Sequence, residues 1–176
     1  MLKKDLAIIG GLFALIIFLV IFGQSFTPAA FLREGTPSGV GSIFGTKSKS
    51  INAQVKDFKI KVIVADSVNL RKKGLSKRES LPLGEGMLFV FDTNSNWGIW
   101  MKDMKFALDI IWINDNQDII GIAKSVPPQL GKKDSELTVY KPSSSAKYVL
   151  EINAGLSELN NINEGDKVNF SLVGKR

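Results

Sequence analysis

The residue types missing from this 176-residue chain limit its chemistry first: it has no histidine and no cysteine. That removes Ser-His-Asp and Cys-His catalysis, cysteine transpeptidation and ordinary zinc sites, all of which need an imidazole or a thiolate. What remains for chemistry is carboxylates, arginines, lysines and aromatic rings. Arg71, Lys72, Lys73, Lys77 and Arg78 form the densest basic cluster. The lysines read as solvated helix charge, whereas the planar fork of either arginine suits a carboxylate partner. Asn114, Asn116 and Asp118 have the spacing of a calcium loop, but Ile119 stands where that loop needs glycine, so a hairpin turn explains them better. Gly39-Val40-Gly41 is followed by Gly45, one residue too late for a dinucleotide fingerprint, and no strand precedes it. A Ser-Lys protease would need a Ser-Met-x-Pro motif, which is absent. No cofactor and no metal is implied.

The elements that must position these groups are mostly strands. Phe58, Ile60, Val62 and Val64 alternate with Lys59 and Lys61, the period of a half-buried strand. Asp66 can cap a short helix through Lys73, with Gly74 as its stop. Met87–Phe91, Trp97–Met101 and Leu108–Ile113 read as further strands, and Asn114–Gln117 as the turn of a hairpin continuing through Asp118–Ala123. Pro127-Pro128 opens a polar loop. Tyr148–Ile152 is a strand, Leu156–Asn160 a short helix, and Val168–Leu172 a closing strand. The expected fold is α+β, mainly antiparallel: a compact barrel or sandwich of about seven strands with two short helices.

Ahead of this domain, Lys3 and Lys4 precede an apolar run from Leu6 to Phe22. At helical rise that run spans roughly 26 Å, close to the ~30 Å hydrocarbon core of a bilayer. A secretory signal has an apolar region of roughly 7 to 15 residues and a small-x-small cleavage site. Thr27-Pro28-Ala29 is a poor such site, so the run reads first as an uncleaved transmembrane anchor, with a cleaved signal as the second reading. The two lysines stay cytoplasmic under the positive-inside bias, which places the rest of the chain outside. The expected organisation is a cytoplasmic tip and anchor over 1–23, a Gly/Ser/Thr/Pro-rich flexible linker over 24–51, and an extracytoplasmic domain over 52–176. Of the formal charge of +6, half lies before the domain, where five basic residues oppose Asp5 and Glu34, 5 − 2 = +3. The mildly basic domain is weak ground for nucleic acid, and none is expected as a partner. Without cysteine an exported domain must hold by packing rather than disulfides.

A series of motifs then becomes usable: Arg71-x-x-Gly74-Leu75-x-x-Arg78, Leu81-Pro82, Gly86-Met87-Leu88-Phe89-Val90-Phe91, Trp100-Met101-Lys102, Leu108-Asp109-Ile110-Ile111, Val126-Pro127, and Tyr148-Val149-Leu150-Glu151 with Ala154-Gly155. In order and along nearly the whole exported domain, they resemble the uncharacterised bacterial and archaeal family catalogued as domain of unknown function 192. Asp103-Met104 departs from the Asn-Thr pair usual there. The resemblance implies a small β-rich domain, often membrane-anchored, with no established activity. It singles out Arg71, Arg78, Trp100, Met101, Asp109 and Glu151 as motif positions whose types do not all suit a core. One account pairs Arg78 with Asp109 or Glu151 in a buried salt bridge that fixes the fold. Another gathers Trp97 or Trp100 with arginine and carboxylates around a cleft for a glycan or other polar envelope ligand. A third makes Asp109 and Glu151 the carboxylate pair of a hydrolase acting on envelope glycan, which needs carboxyl groups about 5 to 10 Å apart and one raised pKa.

Overall fold

The computed structural model describes residues 49–172, so the expected anchor and most of the linker lie outside the described residues. Among those residues no helix is long and apolar enough to cross a membrane. Seven strands form one sheet: β1 (Ser50–Val55), β2 (Phe58–Ala65), β3 (Glu85–Ser95), β4 (Leu108–Ile113), β5 (Ile119–Val126), β6 (Ala146–Asn153) and β7 (Val168–Phe170). Their order across the sheet is β5-β4-β6-β3-β2-β1-β7. The sheet curls into a half-barrel, and its two edges return toward each other. Asp118 bridges Lys167, and the Val168 N–H donates to the Gln117 carbonyl at 2.9 Å. An ion pair at 2.8 Å between Lys167 and Asp118 reinforces this closure, and one at 2.8 Å between Lys56 and Asp166 ties the β1–β2 turn to the chain entering β7. The hydrogen bonds from Lys167 and Lys56 hold Asp118 and Asp166 below the usual carboxylate range.

The count of seven agrees with the sequence, but its membership differs. Trp97–Met101, expected as a strand, makes only a single bridge, Ile99 to Tyr140. It runs across the sheet as a cover instead: Trp97 stacks on Phe91 with ring centroids 4.1 Å apart, while Ile99 and Met101 are buried. The missing strand is β1, whose first residues Ser50 and Ile51 fall where the linker was expected. Small Ala53 occupies its central inward position, which weakens the alternation there. The sheet is mainly antiparallel, as expected, with one parallel pair that makes it mixed: β2 runs parallel to β3, Val62 opposite Gly86. A parallel pair needs a crossover, and α1 (Val68–Lys73) provides it. Its N-cap is Ser67, one residue later than expected, whose hydroxyl accepts from the Leu70 N–H. Gly74 closes it at φ +48, a left-handed geometry that glycine adopts without strain.

Both faces of the sheet are covered. On the inner face of the curl, Val62, Leu88, Val90, Ile111, Ile113 and Leu150 meet α2 (Leu156–Leu159) and the β7 side. On the other face, Met87, Phe89, Ile110, Trp112 and Val149 are roofed by side chains from connections, among them Leu75, Leu81, Met101 and Met104. Hence all six residues of β4 are buried, which is why Leu108–Ile113 is apolar at every position but Asp109 rather than alternating. Gly86 marks the tightest point: a Cβ there would lie 2.7 Å from the Glu151 carbonyl oxygen and 3.0 Å from Ile60 Cδ1. Gly86→Ala is therefore expected to destabilise the domain by about 1–3 kcal/mol, read as a lowered urea midpoint with unchanged slope.

Candidate functional site

On the face roofed by connections, a cavity of about 500 Å³ opens between α1, the end of β3 and the segment from Gly98 to Met104. Arg71 and Lys73 lie on its helix side, Phe89 and Phe91 on the strand side, Trp100 at the covering segment and Glu151 on the sheet. A larger depression, about 880 Å³, runs along β1, β2 and β7, but its polar lining consists of Asn52, Gln54, Lys59, Lys61 and similar residues of a strand surface, none of them buried. Of these two, among the described residues, the first contains a buried titratable group and the second does not.

Strand register places that group. Glu151 on β6 stands opposite Met87 of β3 and Ile110 of β4, both buried apolar side chains. Glu151 is 4% exposed as a residue, and none of the hydrogen bonds or ion pairs among the described residues involves its carboxyl. A buried polar group without a partner typically costs about 1–3 kcal/mol, more if charged. Burial accordingly pushes the Glu151 carboxyl up to about 8, so it holds its proton at neutral pH.

Parity separates Asp109 from it. Asp109 faces Ile152 rather than Glu151, and since successive strand side chains alternate, the two carboxyls project from opposite faces of the sheet. This corrects the expectation that they pair across a cleft, and with it the two-carboxylate hydrolase. Asp109, fully buried, accepts four hydrogen bonds: from Ser125 N at 2.7 Å, Gly155 N at 3.1 Å, Ser157 N at 2.8 Å and Ser157 Oγ at 2.7 Å. The Ser125 donor comes from a bulge where β4 and β5 shift register and Ser125 takes φ +50. Asp109 thus fastens β5 and the β6–α2 turn to β4.

The arginines separate as well. Arg71 donates from Nη1 to the Val90 carbonyl at 2.7 Å, lies 5.2 Å from the Phe91 ring centroid and approaches Asp92 at 3.9 Å. Arg78 is not at the cavity. It reaches Glu85 at 3.8 Å and leaves its buried Nε without a partner, so the expected salt bridge to Asp109 or Glu151 is not formed. Met101 is fully buried in the core; its carbonyl accepts from Gln129 N and Met104 N. Trp97 is committed to the Phe91 stack and to the Thr93 carbonyl. Trp100, with half its surface exposed, is the ring available at the mouth. Of the residues expected at a site, the cavity therefore gathers Arg71, Trp100 and Glu151.

It also gathers residues that were not expected at a site. Lys102, Asp103 and Asp134 line it; Lys102 pairs with Asp134, and that hydrogen bond raises the Lys102 pKa. Asp103 sits at φ +55, a conformation that Asn and Asp tolerate best, which is the one signal that its departure from the family pattern carried. Among the described residues no group of three or more acidic side chains gathers to hold a metal ion.

A curled, mixed seven-stranded sheet roofed by α1 and the Trp100 segment is the class of domain these observations define. The DUF192 family, described as uncharacterized ACR, matches residues 50–170, and the chain belongs to it. No curated protein matches the chain. Two solved structures are similar. One is a protein of Sinorhizobium meliloti 1021 provisionally described as a transcription regulator, with TM-score 0.66, 22% identity, and coverage of 72% of this chain and 98% of that one. The other is a protein of unknown function from Novosphingobium aromaticivorans DSM 12444, with TM-score 0.62, 25% identity, and coverage of 73% and 89%.

Two variants test the separate roles of the carboxyls. Asp109→Ala should destabilise the domain by about 3–5 kcal/mol, since four buried donors lose their acceptor, read by urea denaturation. Glu151 behaves oppositely. Because its folded pKa lies above the ordinary value of 4.5, its contribution is fully present below that value and is lost as pH rises toward about 8. Glu151→Gln should therefore leave stability nearly unchanged near pH 4 and raise it by a few kcal/mol near pH 8, seen as a melting temperature that no longer falls across that window.

Proposed function

We propose that this chain is a membrane-anchored protein whose extracytoplasmic domain binds a polar envelope ligand, such as a glycan, in the cavity beneath Trp100. The single observation carrying this reading is Glu151. A carboxyl group placed among apolar side chains with no partner weakens the fold, and replacing it would be an easy gain in stability. Sites that destabilise a fold in this way are typically sites of function. Trp100 supports the same reading, because a half-exposed indole beside hydrogen-bonding groups suits the apolar face and hydroxyls of a sugar. The Leu6–Phe22 run supports the location, by its length and by the lysines before it.

Binding fits better than hydrolysis, since the carboxylates suggested for catalysis occupy opposite faces of the sheet. Trp100→Ala should weaken binding of envelope-derived oligosaccharides by roughly tenfold while leaving the melting temperature in place. Glycan-array and calorimetric titration of the full chain in detergent measures both. Unchanged affinity in this variant would count against the cavity as the site.

A further inference from the structure

We infer that one end of the roof, where Val68, Trp100 and Val139 stand exposed, rests in the headgroup layer of the bilayer that anchors the chain. This goes beyond the ligand reading above and rests only on its membrane-anchoring part. The first argument is where the exposed apolar groups lie. Among the described residues six large hydrophobic side chains are exposed: Val68, Leu83, Trp100, Leu130, Val139 and Leu159. Strand register sorts them between the two ends of the sheet. Val68 opens α1 shortly after Ala65, which pairs with Phe89 of β3. Further along β3, Phe91 stacks on Trp97, so the covering segment starts at that end as well. Ile99 and Tyr140 exchange hydrogen bonds of 2.9 and 2.8 Å, which sets Trp100 across from Val139. Because Ile99 is buried, both point away from the sheet. Leu83 and Leu159 lie at the other end, Leu83 just before β3 and Leu159 after the close of β6, where Gly86 faces Ile152.

The second argument is where the chain enters the domain. The Lys49 carbonyl accepts from Val64 N at 2.8 Å, and Ser50 pairs with Ile63. The described residues therefore begin beside the end of β2 that leads into α1. Residues 23–49, 27 in all, separate β1 from the Leu6–Phe22 run, and a flexible chain of that length reaches roughly 30 Å. An anchor attached there brings the Val68 end to the lipid first and leaves the Leu83 and Leu159 end away from it. A weak contact suffices, because the tether keeps the membrane at high effective concentration.

This surface is also rigid and close to neutral. A Cβ on Gly98 would lie 2.5 Å from Val139 Cγ1, so Val139 is seated on that glycine. Trp112 holds the covering segment from beneath, its indole N–H 2.8 Å from the Trp97 carbonyl. Little freedom is left to lose on docking. Exposed Lys72, Lys132, Lys133 and Lys141 stand on these connections against exposed Asp66, Asp103 and Glu136, while Lys102 is paired with Asp134. The apolar groups therefore carry the contact. A half-exposed indole is the kind of side chain that settles at a membrane interface, and aliphatic neighbours add to the buried area. The cavity beneath Trp100 then opens at the headgroup layer.

The chain has no cysteine, so Val68→Cys, Val139→Cys, Leu83→Cys and Leu159→Cys each accept a single fluorescent label. The full chain is placed in nanodiscs of zwitterionic lipid, with a nitroxide-headgroup lipid as quencher. The expected result is severalfold stronger quenching of the labels replacing Val68 and Val139 than of those replacing Leu83 and Leu159, unchanged in high salt. Trp100→Asp should lower the quenching at Val139. Equal quenching at all four positions would overturn the inference while leaving the anchor in place. So would quenching that needs anionic lipid or vanishes in high salt, because the apolar groups would then not carry the contact. A Val139 signal that ignores Trp100→Asp would overturn the place given to Trp100. Label-to-label contact in discs holding two copies, with no quenching by lipid, would assign this face to a second copy and overturn the inference as well. A chain that stays in solution without lipid or detergent would overturn the anchoring reading and this inference together.

Discussion

Asp109 sits where three separate parts of the chain must meet, and its carboxylate is what they share. One oxygen accepts the amides of Ser125 and Gly155, and the other accepts the amide and hydroxyl of Ser157. Those donors belong to the bulge of β5 and to the turn between β6 and α2, neither of which could bury its N–H groups without an acceptor. With them satisfied, β5 bends, α2 packs on the inner face, and the chain is directed toward β7, where the half-barrel closes. Buried acceptors with every lone pair used are a source of specificity because the alternatives leave donors orphaned.

Glu151 lies on the neighbouring strand β6, next to the residue that faces Asp109, and lives under the opposite condition. Its side chain leaves the other face of the sheet, where the cover consists of connections rather than sheet, and connections leave room. The Trp100 segment reaches the sheet through Ile99 and Met101, while Trp100 itself stays half exposed. The resulting gap holds a carboxyl with no protein partner. One sheet thus carries two buried carboxyls, one saturated by the fold and one left for something else, and the distinction follows from the alternation of side chains along β4 and β6.

This division also accounts for the aromatic residues. Phe91, Trp97 and Arg71 make a rigid stack at the side of the cavity, whereas Trp112 is buried and donates its indole N–H to the Trp97 carbonyl. Trp112 therefore holds the covering segment down from beneath, and Trp100 is the indole left at the surface. A domain lacking cysteine keeps its cover in place by such side-chain to backbone bonds and by packing.

Local pattern was enough for much of the fold. Alternation identified β2, the apolar run gave β4 at its observed bounds, the Asn-Asp turn gave the β4–β5 hairpin, and Gly74 marked the helix end; each is decided by neighbours in sequence. Parallel pairing of β2 with β3, the weak strand β1 and the role of Trp97–Met101 were not legible, because they depend on partners far along the chain. The motifs likewise marked Arg71, Trp100, Asp109 and Glu151 as unusual without distinguishing them. The sequence by itself determined which residues are out of place in a core, since residue type and spacing suffice for that. Only the tertiary structure decided which of them face each other, because the pairing register of β4 with β6 sets the face from which each side chain emerges. A slip of β6 by one residue would have sent Glu151 to the inner core.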